Sequence, residues 1–282
     1  RLDGDSLRPR LDAAPLPFDE VARIGTKVAT ALHDLHRQHV IHLDIKPSNI
    51  MFRRGADGGW AEAVLVDFGL SRHDHLPDLL DEEFNLPMGT GPYMSPEQVQ
   101  FVRNEPRSDL FALGVMLYHL TTGERPFGAP SSVRGLRERL YKEPVPPRNL
   151  RPDCPPWLQE VILRCLEVKA DARHPSAAHL AQDLANPGQV KLTERAQRDA
   201  AGTRVGLFKR WFSAVGADPS GASRGVGEQL KRAPIIMVAV DVEGATDELL
   251  GLLRETVRRI VAAEPGARLA CISVMKTARI GM

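Results

Sequence analysis

Residues 42–49 read HLDIKPSN, and the triplet DFG stands at residues 67–69. In phosphoryl-transfer sites built from such motifs, an aspartate orients the attacking hydroxyl and a lysine two positions later faces the transferred phosphate. An asparagine from the first motif and the aspartate of the second hold magnesium. The sequence therefore predicts a phosphoryl-transfer site, and its members are Asp44, Lys46, Asn49 and Asp67.

Two short apolar runs between these motifs predict a β-hairpin. The runs are residues 50–52 and 64–66, and the sequence DGG at residues 57–59 supplies the turn. A hairpin places Asn49 at the start of one strand and Asp67 at the end of the other, so that both can face the same metal ion. Taken alone, the DFG triplet has an alternative interpretation as an ordinary turn after a strand.

Further motifs follow along the chain. Residues 89–98 read GTGPYMSPEQ, and the glycines suit a backbone that must approach a peptide substrate. Residues 109–120 form a helix that is apolar on nearly all sides, which predicts a position in the centre of a core. An aspartate, Asp109, opens this helix, and DARHP follows at residues 171–175.

Together these motifs resemble the eukaryotic-type serine/threonine protein kinases of bacteria, and the resemblance covers residues 1–185. It implies the C-lobe of a kinase, mainly helical with a short β-hairpin. It also implies ATP as the phosphate donor, Mg²⁺ as the metal with Mn²⁺ as an alternative, and protein serine or threonine hydroxyls as acceptors.

The resemblance assigns roles to individual residues. The catalytic residues are Asp44, Lys46 and Thr90; the ATP-binding residues are Lys46, Asn49 and Asp67; the metal ligands are Asn49 and Asp67; the structural supports are His42, Gly69, Glu97, Asp109 and Arg173. By this resemblance, Arg173 pairs with Glu97. Asp109 accepts backbone N–H groups of residues 42–49, the catalytic loop of the family. A helix N-terminal acid favoured by the dipole is the alternative for Asp109. The other eight histidines show no comparable pattern and are interpreted as solvated or core residues.

Two departures from the family pattern bear on regulation and activity. Leu43 replaces the usual arginine, and residues 72–88 contain no serine, threonine or tyrosine, so we expect no switching by phosphorylation there. Ser71 and Thr90 are the alternative sites beside this stretch. Neither a glycine-rich loop nor the ATP-clamping lysine and glutamate of the family precede residue 42. We therefore expect the C-lobe of a longer enzyme, inactive by itself; the alternative is a pseudokinase-like scaffold.

Composition limits the other functional classes. The 282 residues are 43% hydrophobic and 26% charged, with a net charge of +1, which argues against nucleic acid as a main partner. Three cysteines without CxxC pairing indicate free, mostly buried thiols and a cytoplasmic protein. The longest apolar run, residues 235–240, is too short to cross a bilayer, so no transmembrane segment is expected.

The composition changes after residue 185. Residues 186–233 are rich in glycine, serine, alanine and arginine and predict a flexible linker. Within them, the basic and aromatic stretch 205–212 suits a short docking helix or a loosely ordered patch, with contact to a membrane surface as the alternative. Residues 234–282 predict a β-α-β unit that resembles the start of a universal stress protein domain, with Asp241 ending its first strand. Such α/β folds bind ligands at the carboxyl ends of strands, and the resemblance implies a nucleotide as the ligand there.

Overall fold

A computed structural model describes most of the chain, and its described residues fall into two compact units, one within residues 1–222 and the other within residues 223–282. The described ranges are 4–54, 60–73, 89–130, 132–198, 235–241, 246–263 and 268–274. Helices of the first unit are α1 (Arg8–Asp12), α2 (Phe18–Arg37), α3 (Pro96–Val99), α4 (Arg107–Thr122), α5 (Val133–Arg137), α6 (Pro147–Leu150), α7 (Pro156–Cys165) and α8 (Ala177–Ala185). Its strands are β1 (Gly4–Ser6), β2 (Val40–Ile41), β3 (Ile50–Arg54), β4 (Trp60–Leu65) and β5 (Arg72–His73).

Helix α2 lies in the core through one apolar stripe. Its buried members recur at spacings of three and four residues, the period of an amphipathic helix, and are Val21, Ile24, Val28 and Leu32. Gly25 lies on the same stripe, and a Cβ there would stand 2.8 Å from Leu117 of α4 and 2.9 Å from Leu184 of α8. The absence of a side chain at this position lets the three helices approach closely.

Helix α4 is the centre of the first unit. Nearly all of its residues are buried, which confirms the position predicted from its apolar sequence. A Cβ at Gly114 would lie 2.5 Å from the Cβ of Cys165, so this glycine lets α7 pack directly on α4. Gly123 ends the helix with φ 78°, a left-handed conformation that glycine adopts without strain.

Two small antiparallel sheets position the motifs singled out in the sequence. Strands β1, β3 and β4 form one sheet, in which Ile50 pairs with Leu65. The next hydrogen bond of the hairpin joins Val66 N–H to Asn49 O at 3.0 Å. Strands β2 and β5 form the second sheet and bring the chain before His42 beside the chain after the DFG triplet. The predicted turn at residues 57–59 lies outside the described residues.

The predicted flexible linker does not begin directly after α8. Residues 187–189 and 194–197 form 3₁₀ helices, and Ala196 is fully buried. Gln159 of α7 donates from Nε2 to the carbonyl of Arg195 at 2.8 Å. The part of the predicted linker up to residue 198 is therefore packed on α7; residues 199–234, including the basic stretch 205–212, lie outside the described residues.

A buried carboxylate anchors this packed segment. Glu160 of α7 is 2% exposed and accepts the N–H of Thr193 at 2.9 Å and the N–H of Ala196 at 3.1 Å. The hydroxyl of Thr193 and the guanidinium of Arg195 donate to the same carboxylate at 2.9 and 3.0 Å. These donors offset the desolvation of the charge, so Glu160 and the segment depend on each other.

The substitution Glu160→Ala is expected to destabilise the first unit. Removing the carboxylate leaves the donors of residues 193–196 without their buried acceptor, at a cost of about 3 kcal/mol in the free energy of unfolding. Urea denaturation followed by the fluorescence of Trp157, on the same helix, measures the loss. Glu194→Ala, an exposed acid in the same segment, is the control and is expected within about 0.5 kcal/mol of the parent. Equal losses in both variants would contradict the anchoring role.

Two of the cysteines lie in this unit as free, buried thiols. Cys154 and Cys165 are both buried, as the sequence analysis predicts, and burial raises the pKa of each thiol to about 12. A thiol with so high a pKa stays protonated near neutral pH and is a poor nucleophile. The side chain of Cys271 lies outside the described residues.

The second unit is a β-α-β arrangement. Its elements are β6 (Ile235–Asp241), α9 (Asp247–Ala263) and β7 (Arg268–Val274). Strands β6 and β7 pair in parallel, with Ile235 opposite Arg268 and Asp241 opposite Val274. A parallel pair requires a crossover, which α9 supplies. Among the described residues, no helix is long and apolar enough to span a membrane.

Candidate active site

The carboxylate of Asp44 lies at the meeting point of several donors. Its Oδ2 accepts from the Lys46 ammonium at 2.5 Å and from the Asn49 amide at 3.2 Å. Its Oδ1 accepts from the hydroxyl of Thr90 at 2.7 Å and from the backbone N–H of Thr90 at 3.2 Å. The structure thus brings together three residues of the 42–49 motif and the threonine of the 89–98 segment.

The two expected metal ligands come from opposite strands of the hairpin. Asn49 precedes β3 and is buried, while Asp67 follows β4 and is exposed, with φ 63°. The Asn49 amide nitrogen is directed to Asp44, with a further bond of 2.9 Å to its carbonyl. The amide oxygen accepts the Ser48 hydroxyl at 3.2 Å and has a second lone pair for a cation. An amide oxygen and a carboxylate are hard oxygen ligands of the kind that Mg²⁺ prefers. The donor set therefore fits magnesium.

His42 connects the catalytic loop to the DFG triplet. Its Nε2 lies 3.1 Å from the carbonyl oxygen of Val66, and its ring centroid is 4.9 Å from that of Phe68. Gly69 donates its N–H to the Asp67 carboxylate at 3.4 Å. These contacts join the two motifs. Among the described residues, the His42 imidazole makes no hydrogen bond to the Asp44 carboxylate.

Asp109 supports the loop from the N-terminal end of the central helix. The residue is fully buried, and its carboxylate accepts the N–H groups of His42 and Leu43, each at 2.9 Å. His36 Nε2 lies 2.8 Å from the same carboxylate. From the sequence, His36 was grouped with the histidines interpreted as solvated or core residues, and its role was missed. Its place in the last turn of the helix before the loop was the available signal.

A buried ion pair holds the segment after Thr90. Arg173 is 1% exposed, and its guanidinium donates to both carboxylate oxygens of Glu97, at 2.6 and 2.8 Å. Ser108 of α4 donates to the same carboxylate at 2.8 Å. The guanidinium also donates to the carbonyls of Arg107 and Glu167, both at 2.8 Å. This bidentate pair fixes the segment to the helical core.

A second buried arginine holds the same segment and was missed in the sequence. Arg139 is 1% exposed, and its guanidinium donates to the carbonyls of Met94 and Gly91, the latter at 2.9 Å. Burial lowers the pKa of this guanidinium to about 10, which still leaves it charged at neutral pH. The sequence carries little signal for this role, because an arginine on a short surface-type helix is ordinarily solvated.

The residue that departs from the family pattern is buried. Leu43 is 3% exposed, so the loop accommodates an apolar side chain where the resemblance leads one to expect a charged arginine. Its backbone adopts φ 62°, an unusual value for a residue other than glycine. Of the loop at residues 72–88, the structure describes only Arg72 and His73, which form β5.

The substitution Arg173→Met is expected to lower the free energy of unfolding by about 3–5 kcal/mol, because it strands the buried Glu97 charge. Urea denaturation measures this loss. Adding Glu97→Gln to the same chain removes that charge, so the double variant is expected to recover part of the stability. A single-variant loss below about 1 kcal/mol, as exposed ion pairs give, would show that the pair contributes little.

Comparisons with known proteins agree with this geometry. The serine/threonine-protein kinase pkn3 of Myxococcus xanthus is 38% identical over 67% of this chain and 35% of its own length. The serine/threonine-protein kinase PknB of Mycolicibacterium smegmatis is 32% identical over 79% of this chain and 34% of its own. The tyrosine-protein kinase MasK of Myxococcus xanthus is 32% identical over 60% of this chain and 26% of its own.

The chain spans about a quarter to a third of the length of these relatives. The family profile described as "Protein kinase domain" matches residues 2–184, which include the 42–49 motif, the DFG triplet and the buried Glu97–Arg173 pair. The chain therefore belongs to the protein kinase domain family.

Proposed function

We propose that the protein is a serine/threonine kinase that transfers the γ-phosphate of ATP to protein hydroxyls. The observation that carries this proposal is the Asp44 carboxylate, which accepts hydrogen bonds from Lys46 and Asn49 on one oxygen and from Thr90 on the other. Lys46 of the catalytic loop and Thr90 of residues 89–98, which we name the peptide-binding segment, hold this carboxylate firmly. A carboxylate held in this way is suited to orient an acceptor hydroxyl.

In the proposed reaction, the acceptor hydroxyl oxygen forms a bond to the γ-phosphorus of ATP, the bond from that phosphorus to the β–γ bridging oxygen breaks, and ADP leaves. The hydroxyl proton passes to the Asp44 carboxylate. Lys46, beside that carboxylate, offsets the negative charge of the transferred group. Asn49 and Asp67 would hold magnesium, which supplies further charge neutralisation when bound.

The acceptor residue of the substrate is a separate part of the proposal. Lys46 two positions after Asp44 and Thr90 in the peptide-binding segment both match the serine/threonine class. The names of pkn3 and PknB as serine/threonine-protein kinases support that choice. MasK is named a tyrosine-protein kinase, so the acceptor residue is measured directly. Peptides that differ only in serine, threonine or tyrosine at the acceptor position separate the classes.

We expect the ATP-clamping parts of the enzyme to be supplied by a longer gene product, since the glycine-rich loop and its partner lysine do not occur in these 282 residues. The chain by itself is then inactive. The absence of a CxxC motif from its sequence supports a cytoplasmic location, and its balanced charge argues against nucleic acid as a partner.

The second unit supports a further part of the proposal. Its parallel β6–β7 pair and crossover helix α9 are compatible with the universal stress protein resemblance of the sequence, and Asp241 ends β6. Because α/β folds bind ligands at the carboxyl ends of parallel strands, this edge is the place for a nucleotide. Such a ligand would give the kinase a signal to which it responds.

The first test is phosphate transfer from radiolabelled ATP to a generic basic protein. Full-length protein, its Asp44→Ala variant and the 282-residue chain are compared. Transfer by the full-length protein is expected to fall by at least about 100-fold in the variant, because the hydroxyl-orienting carboxylate is lost. Asp34→Ala, an exposed acid on α2, is the control and is expected to keep its activity.

No transfer by any folded form would move the assignment to a scaffold without phosphotransfer. Equal transfer by the full-length protein and its Asp44→Ala variant would instead show that the carboxylate does not take part. Magnesium-dependent ATP binding by the full-length protein provides an independent measurement, since a pure scaffold has no need for it.

Regulation by phosphorylation of residues 72–88 is not expected. The buried Leu43 has no charge to pair with a phosphate, and this stretch contains no serine, threonine or tyrosine. Phosphatase treatment and Ser71→Ala are both expected to leave the rate of the full-length protein within about 2-fold of the parent. Phosphopeptide mapping that located an activating phosphate on Ser71 would contradict this expectation.

A further inference from the structure

The residue that precedes Asp44 is held in an unusual backbone conformation by hydrogen bonds to both its N–H and its carbonyl group. Leu43 has φ 62°, a left-handed value that persists in a non-glycine residue only where the surroundings determine it. The N–H of Leu43 donates to Asp109 at 2.9 Å, and its carbonyl accepts from the Gln98 side chain at 2.7 Å. The direction in which the chain enters Asp44 therefore depends on two side chains from different helices.

Gln98 itself is held in one orientation. It is 4% exposed and lies in the first turn of α3, where its amide oxygen accepts the N–H of Ser95 at 3.0 Å. In return, the N–H of Gln98 donates to the Ser95 hydroxyl at 3.2 Å. These reciprocal bonds form a capping box, which uses one end of the amide. The other end, Nε2, is left to donate to Leu43.

Gly89 leaves room for this hydrogen bond. A Cβ at Gly89 would lie 3.2 Å from Gln98 Nε2 and 3.4 Å from the Leu43 carbonyl oxygen. The backbone there has φ 134°, which side-chain-bearing residues rarely adopt. The following residue is Thr90, which donates to the Asp44 carboxylate. The peptide-binding segment therefore meets the catalytic loop at two adjacent points.

We propose that Gln98 is a positioning residue for the kinase reaction, acting through the Leu43 carbonyl on the orientation of Asp44. The inference rests on the proposed function, because it takes Asp44 as the group that orients the acceptor hydroxyl. Gln98 contacts neither Asp44 nor Thr90 through a hydrogen bond seen among the described residues. Its hydrogen bond attaches the backbone before Asp44 to α3. The distance and orientation between the peptide-binding segment and the Asp44 carboxylate are thereby fixed.

The substitution Gln98→Glu separates this role from the capping of α3. A glutamate still accepts the Ser95 N–H, as in the commonest capping box, but its ionised carboxylate cannot donate to the Leu43 carbonyl. We expect kcat of the full-length protein to fall by about 10- to 100-fold, as small misplacements of a reacting group do. The KM values for ATP and peptide are expected to stay near those of the parent. The thermal midpoint is expected to fall at pH 8, where the buried carboxylate is ionised, and to recover towards pH 6, so kcat is compared below the midpoint of the variant.

The pH profile of the same variant gives a second readout. Burial beside a carbonyl raises the pKa of the introduced carboxyl, and its protonated form regains a donor for the Leu43 carbonyl. The ratio of variant to parent kcat is therefore expected to rise as the pH falls from 8 to 6. Gln98→Met, which has no donor at any pH, is expected to lose rate without recovery.

Gln100→Glu is the matched control, since Gln100 is the C-cap residue directly after the same helix, and its kcat is expected to equal that of the parent. A Gln98→Glu variant with parental kcat overturns the proposal, and so does a rate loss with no dependence on pH. Phosphate transfer by the parent and its loss in Asp44→Ala are established first, so that a failure of the kinase assignment is recognised separately.

Discussion

The buried carboxylate of Asp109 is the interaction on which the candidate site depends. It stands at the start of the central helix α4 and accepts the N–H groups of His42 and Leu43, with His36 on the same oxygen as His42. A charge removed from water is tolerated only when donors surround it, so the loop must adopt the shape that supplies them. The helix dipole favours an acid at the same place, so the alternative reading of Asp109 acts in the same direction.

The segment after Gly89 is positioned by side chains rather than by a regular sheet or a long helix. Arg139 donates to its backbone carbonyls, Arg173 binds Glu97 at its end, and Gln98 joins it to the catalytic loop. The side chains of Arg139, Arg173 and Gln98 together fix the position and direction of this backbone relative to Asp44. Such multiple attachment explains how a segment with only a short helix holds Thr90 within hydrogen-bond distance of the carboxylate.

The packed first unit extends further than the matched family region, which ends at residue 184. Residues 193–198 contribute one buried alanine, Ala196, and otherwise attach through polar groups around Glu160 and Gln159. Backbone N–H and carbonyl groups can bind such side chains whatever the local sequence is. The composition of residues 186–233, rich in glycine, serine, alanine and arginine, therefore predicted a flexible linker. In the fold, the polar side chains of α7 bind the first part of this stretch.

The sequence alone determined the order of the motifs, the helical periodicity of α2, the apolar character of α4 and the hairpin that carries Asn49 and Asp67. Those features depend on residues a few positions apart, which pattern and spacing express directly. Only the tertiary structure decided that His36 meets Asp109, 73 residues away, and that Gln98 meets Leu43, 55 residues away. Both are polar side chains whose partners are brought near by packing of distant elements, and neither residue type nor local period encodes that approach. The left-handed backbone of Leu43 has the same origin, because its two bonds come from helices far along the chain.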